Sequence, residues 1–237
     1  MITAPAAAAL EVVQAGHILA AKGVLDAFGH ASRRHPQDPA LFLMSRNLAP
    51  ASVTQADILV HDLAGQPVSE PGARVYLERF IHAEIYRRRP DVQAIVHSHS
   101  PSVLPFTVSA NHRVRPLCHL CGFLAGTAHP FEIAAIAGDG TDLLIRSAAL
   151  GQALADHLGE QAVVLMRGHG FTCVGDSMAE AVFRAVYTGV NCQAQLAALQ
   201  LGPPTYLTEA EARACEAATR GQADRAWALW AREVARP

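Results

Sequence analysis

Apolar residues follow two rhythms along this chain, and each predicts a kind of element. Across residues 6–28 they crowd a helical stretch that the pattern closes at Gly29, a residue type suited to a left-handed cap. Residues 76–89 carry apolar positions at 77, 80, 81 and 85, close to a helical stripe, and Pro90 stops it. Residues 147–158, closed by Gly159, and 177–201 read as two more helices, and the tail from Thr208 is Ala-rich and amphipathic. The second rhythm is short and continuous. Residues 41–45, 58–62, 94–96 and 162–166 are apolar runs of strand length, and Ala64-Gly65-Gln66-Pro67 makes a turn after the second. Strands and helices interleave, and no repeat or low-complexity linker splits them. The expectation is an α/β layered fold in one domain over 1–237, with a helical tail from about 208.

Composition narrows the function classes. The chain is 51% apolar, enough for a sizeable core. A net charge of -2 offers no basic surface for nucleic acid or an acidic membrane. The apolar N-terminal run lacks a basic start and is interrupted by Glu11, Gln14 and His17, so it is not read as a signal peptide. No stretch reaches the ~18 apolar residues of a membrane span. Five cysteines without a framework spacing suggest reduced thiols in a cytoplasmic protein. The unusual feature is the twelve histidines, which direct attention to metal or proton chemistry.

Two of the apolar runs end in histidines. Ala94-Ile95-Val96 leads into His97-Ser98-His99, and residues two apart on a strand share a face. Their imidazoles would sit about 6–7 Å apart, where one cation could bridge them. Val163-Val164-Leu165-Met166 leads into Arg167-Gly168-His169-Gly170, whose glycines let the backbone bend and approach closely. Three imidazoles on one cation would leave open positions for a chelating substrate. Glu78 lies near the start of the helix before the first pair, as a further ligand or general acid/base. His82, four residues on, shares its helical face and reads as a packed core histidine.

Three segments then carry a resemblance: Leu77-Glu78-Arg79-Phe80-Ile81-His82, Arg89-Pro90-Asp91-Val92-Gln93-Ala94-Ile95-Val96-His97-Ser98-His99, and Met166-Arg167-Gly168-His169-Gly170. In order and spacing, from about Gly29 to Leu201, the chain resembles the class II aldolase/adducin family. In the family's enzymes a glutamate nineteen residues before the first histidine is the acid/base and often a ligand, a role that falls on Glu78. His97, His99 and His169 match the metal ligands. The resemblance implies a three-layer α/β/α domain around a central, mainly antiparallel sheet. It also implies a homotetramer with active sites between subunits.

The chain departs from the family's sugar-phosphate aldolases where those grip phosphate. It reads Gly29-His30-Ala31-Ser32, Met44-Ser45-Arg46-Asn47 and Tyr76-Leu77, which lack the small donors a phosphate site wants. Arg46 offers a planar fork suited to a carboxylate, or it pairs with an acidic neighbour and holds its loop. His30, Ser45 and Tyr206 are further candidates for substrate contact. In Arg115-Pro116-Leu117-Cys118-His119-Leu120-Cys121 the expected tyrosine proton donor is Leu120, which leaves His119 as a candidate donor. Cys118 and Cys121 read as small buried hydrophobes. The runs around Phe42–Arg46, Glu78 and His169 are similar to the family's non-oxidative decarboxylases of hydroxylated aromatic or hydroxy/oxo acids. The expected activity is therefore a metal-dependent carbon–carbon lyase, a decarboxylase first. An aldolase acting on an unphosphorylated hydroxy-oxo acid comes second, and a non-catalytic adducin-like module third. Decarboxylation and aldol cleavage both leave an electron pair beside an oxygen, which a bound cation stabilises as a Lewis acid. Three imidazoles favour a borderline metal, Zn²⁺ before Mn²⁺, Co²⁺, Fe²⁺ or Mg²⁺.

Overall fold

Six short strands, β1 (His30–Arg34), β2 (Leu41–Ser45), β3 (Ile58–Asp62), β4 (Ala94–Ser98), β5 (Val163–Met166) and β6 (Gly170–Gly175), form one sheet in a computed structural model that describes residues 3–235. Their order is β3-β2-β1-β4-β6-β5, and every neighbouring pair is antiparallel. The helices are α1 (Ala6–Ala21), α2 (Arg79–Arg88), the short α3 (Leu104–Val108) and α4 (Ala134–Ala137), α5 (Ala148–Leu158), α6 (Met178–Leu201), α7 (Glu209–Thr219) and α8 (Ala223–Val234).

The pleat sends successive side chains to opposite faces and so divides the core in two. Leu43, Ala94, Val96, Phe171 and Cys173 point to one face, under Ile18 and Leu19 of α1, Val182 and Ala185 of α6 and Trp230 of α8. Phe42, Met44, Ile95, Val164 and Val174 point to the other, under Ile81, Ile85 and Tyr86 of α2 and Leu154 and Leu158 of α5. Each large side chain removed from water in this way contributes roughly 1.5–3 kcal/mol. The result is three layers, helices on both sides of an antiparallel sheet.

Local signals explain most element ends. Ser147 and Ser177 accept hydrogen bonds from the backbone N–H groups of Leu150 and Glu180, and Thr208 with Glu211 forms a capping box. The first helix stops at Ala21, short of the expected 28, because Val24 and Leu25 turn inward to the core. Gly29 does not cap that helix; it leads into β1 and lies against the His97 carbonyl oxygen. The second helix starts at Arg79 rather than Tyr76, with Glu78 at its N-cap position. Strands β1 and β6 were not expected from the apolar pattern, and both lie inside the sheet.

Candidate metal centre and its surroundings

The sheet register sets the site. His30 of β1 pairs with His97 of β4, and His97 pairs with Thr172 of β6, so three polar residues lie in a row across the face that α2 covers. His97 is the last residue but one of a fully buried strand, and its ring is held by a contact of 3.0 Å between Nδ1 and Thr172 Oγ1. His99 lies just past the strand end, where the chain turns its ring edge-on to His97, with centroids 4.8 Å apart. The two imidazoles are thus closer than an ideal strand would put them.

His169 sits in the tight hairpin between β5 and β6. Gly168 has a φ of +64°, and a Cβ on Gly170 would lie 2.1 Å from the Ser98 carbonyl oxygen. No side chain fits at Gly170, glycine takes the left-handed turn at Gly168 without strain, and the close approach brings His169 beside the end of β4. His169 Nδ1–H donates to the Leu143 carbonyl at 2.8 Å, which leaves Nε2 with its lone pair toward the site. Leu143 itself holds a φ of 66°, the sole positive value outside glycine among the described residues. Such strain of order 1–3 kcal/mol persists where the surroundings over-determine it, here beside the hairpin.

Glu78 reaches the same point from the N-terminus of α2. Its Oε1 accepts the Ile145 N–H at 2.9 Å, and Oε2 lies 3.6 Å from His97 Nε2 and 3.4 Å from His169 Nε2. His99 Nε2 lies 3.0 Å from His97 Nε2 and 2.9 Å from His169 Nε2. One ligand atom from each of the four residues falls within 4.8 Å of all the others. Three converging imidazole nitrogens cannot all be satisfied by one another, since each carries either a hydrogen or a lone pair and at least two of the three must be alike. A tetrahedral cation with bonds of ~2.0–2.1 Å spaces its ligands about 3.3 Å apart, which matches this set. The residues therefore fit a divalent metal.

The electrostatics of Glu78 and His99 agree with that fit. Burial pushes the Glu78 carboxyl up, but hydrogen bonds and charge attraction from His169 and His97 outweigh it and hold the group well below the usual carboxylate range. Burial, then the neighbouring His97 and His169, push His99 down to about 4, so its imidazole is neutral, as a ligand must be. Burial also lowers His169, yet the Glu78 carboxylate more than compensates and the net shift is upward.

The other sequence candidates fall in different places. His30 is buried, its ring 5.0 Å from His97 and 4.7 Å from Tyr76 between centroids. Ser45 Oγ lies 3.1 Å from the Tyr76 hydroxyl, and His30, Ser45 and Tyr76 line one small pocket with Val12, Gly16, Pro50 and Val53. Arg46 donates both terminal nitrogens to Glu70 and lies 3.3 Å from Asp57, the loop-holding arrangement, and it bonds to none of the four central residues. Tyr206 receives a hydrogen bond from Gln195 and stacks under Arg115, tying the tail to α6. His119 is exposed, in a short turn against α6 and α7, with no bond to the four. Cys121 is buried and Cys118 half-buried, their sulfurs 3.3 Å apart. Sequence reasoning missed the supports, Thr172, Leu143, Ile145, Ser32 and Tyr86. Thr172 and Ser32 lie on unforeseen strands, Leu143 and Ile145 on a loop, and Tyr86 on the expected helix α2, where nothing local sets it apart from a core aromatic.

Comparison with known proteins gives the class. Residues 10–196 match the family described as Class II Aldolase and Adducin N-terminal domain, and the chain belongs to that family. It is 42% identical to Decarboxylase tropJ of Talaromyces stipitatus, over 92% of this chain and 90% of that protein. It is 31% identical to the 3,4-dihydroxyphthalate decarboxylase of Arthrobacter keyseri, over 74% of this chain and 72% of the relative. The fold is similar to an aldolase II superfamily protein from Pseudomonas syringae, with a TM-score of 0.80 at 21% identity over 99% of this chain and 94% of the other.

Proposed function

We propose that this chain is a metal-dependent, non-oxidative decarboxylase of a hydroxylated aromatic or related hydroxy/oxo carboxylic acid. The observation that carries the reading is the convergence of Glu78, His97, His99 and His169 on one point. Similarity to two relatives named as decarboxylases supports the reaction class.

His97, His99 and His169 would hold the cation, with Thr172 and the Leu143 carbonyl fixing two of the rings. A divalent ion bound there supplies a Lewis acid beside the breaking bond. Zinc is the first candidate for an imidazole-rich set. Glu78 is anchored through Oε1 to Ile145, which leaves Oε2 to fill a ligand position or to hold a proton near the reacting carbon. Carbon dioxide leaves, and a proton takes its place on that carbon. Glu78, or His119, exposed on each protomer and lent to a neighbouring copy in a cytoplasmic homotetramer of single-domain chains, would supply that proton.

The test joins elemental analysis of the purified protein with a screen for carbon dioxide release from hydroxylated aromatic acids. Near-stoichiometric divalent metal is expected in the wild type, and His99→Ala should lose most of it together with activity. Full metal occupancy in that variant, or an aldehyde as product, would refute the reading.

A further inference from the structure

Behind the candidate metal centre runs a buried chain of hydrogen bonds. The Tyr86 hydroxyl lies 2.9 Å from Ser32 Oγ, which lies 2.6 Å from His82 Nδ1, and His82 Nε2 lies 2.7 Å from His30 Nδ1. Ser32, His82 and Tyr86 are fully enclosed, and His30 is nearly so. Among the described residues His30 Nε2 has no hydrogen-bond partner, yet it is not sealed from solvent, and its ring lies beside those of His97 and Tyr76.

The array has two possible directions, and one buried hydrogen decides between them. If Tyr86 donates to Ser32, then Ser32 donates to His82 Nδ1. His82 Nε2–H then donates to His30 Nδ1, and His30 carries its hydrogen outward on Nε2. In the reverse order Ser32 donates to Tyr86, and the phenol hydrogen is left buried with no acceptor, since Ser32 is the hydroxyl's only partner among the described residues. Burial holds that phenol protonated, so its hydrogen is always there to be placed. The first direction leaves no buried hydrogen unpaired.

We infer that His30 is a substrate-contacting donor, its Nε2–H aimed at an anionic oxygen of the acid beside the metal centre, with Tyr86, Ser32 and His82 as positioning residues that fix its tautomer. The substrate class rests on the decarboxylase reading above; the direction of the array does not. The inference gives the Gly29-His30-Ala31-Ser32 stretch a role, because a fixed N–H donor replaces the small donors of a phosphate grip. It also assigns anion recognition to His30 rather than to Arg46, whose fork Glu70 already occupies.

The direct test is a long-range ¹H–¹⁵N correlation spectrum of the full chain labelled with ¹⁵N-histidine, recorded with and without zinc. Both His30 and His82 should show a protonated Nε2 and a bare Nδ1. A protonated Nδ1 on either ring would overturn the inference. This readout needs no turnover, so an inactive protein with the expected tautomers would sink only the decarboxylase reading. An active decarboxylase with the opposite tautomers would sink only this one. In kinetics at equal metal content, His30→Leu should lower kcat/KM by roughly 10–150-fold, the worth of a hydrogen bond to a charged group, and His30→Gln should recover part of it. Tyr86→Phe should cost about 2–10-fold and should scramble the His82 tautomer. Equal behaviour of the Leu and Gln variants would count against the donor role. Calorimetry with benzoate and with catechol identifies the oxygen, since His30→Leu should weaken binding of whichever ligand presents it. Unchanged binding of both ligands would overturn the assignment.

Discussion

At the scale of single residues, the chemistry was the most legible part of this chain. Two apolar runs tipped with histidines, and a glutamate one element earlier, are local in sequence, and the fold brings all four together. Arg46 was ambiguous for a physical reason. A guanidinium binds a protein carboxylate and a substrate carboxylate with the same fork, and nothing in Ser45-Arg46-Asn47 announces that Glu70 and Asp57 fold back to meet it. For Glu78 the geometry makes a sharp prediction. Glutamine keeps the Oε1 that accepts the Ile145 N–H and changes only the oxygen that faces the imidazoles. Glu78→Gln should therefore fold and retain metal on three histidines, while turnover falls by roughly 10²–10⁴-fold, the range for loss of a general acid/base. Near-normal single-turnover rates in that variant would show that the proton moves through another group.

At the scale of elements, the sequence shows the strands that are continuous apolar runs and hides β6, whose apolar side chains are broken by glycine and threonine, and β1, which buries polar groups. Strand β1 reads His-Ala-Ser-Arg-Arg and lies at the centre of the sheet. His30 and Ser32 are satisfied by the buried array, and Arg34 donates to the carbonyls of Pro39, Tyr86, Arg89 and Val92. No apolar alternation marks such a strand, because its side chains are buried through hydrogen bonds that form only in the finished fold. On β3, opposite Phe42, His61 is the exception. It is sealed from water with both ring nitrogens unpartnered, and it stacks on Phe42 at 5.1 Å. Burial, reinforced by Arg79 and partly countered by Asp62, pushes its pKa down from 6.5 to about 4. The unfolded chain binds the proton between those values and the folded one does not, so stability should decline as pH falls from 6.5 toward 4 and level off below. The decline assigned to this residue is of order 3 kcal/mol. Urea unfolding of the metal-free protein at several pH values checks it. His61→Phe keeps the ring on Phe42, removes two unsatisfied nitrogens, and should flatten that part of the profile. A variant profile parallel to the wild type would place the acid sensitivity in other groups.

At the scale of the whole molecule, the protomer leaves large apolar side chains exposed next in sequence to residues of its site. Leu77, next to Glu78, is 56% exposed, and Phe28, two residues before His30, is 67% exposed. Large apolar side chains exposed around a polar centre mark a surface built to be covered. His119 points to the same conclusion from the other direction, because it is exposed and bonds to none of the four central residues it is proposed to serve. A closed ring of copies, each lending His119 to its neighbour, would satisfy both observations. The prediction is complementation. Glu78→Gln and His119→Ala homo-oligomers should each be nearly inactive. When the two chains are co-expressed, sites that draw Glu78 from one copy and His119 from the next regain both groups. Random mixing in a ring restores about a quarter of such sites. Activity near that fraction, in oligomers shown by mass spectrometry to be mixed, is the expected result. Mixed oligomers no more active than their parents would mean that each protomer builds its site from its own chain, and light scattering that found an active monomer would lead to the same conclusion.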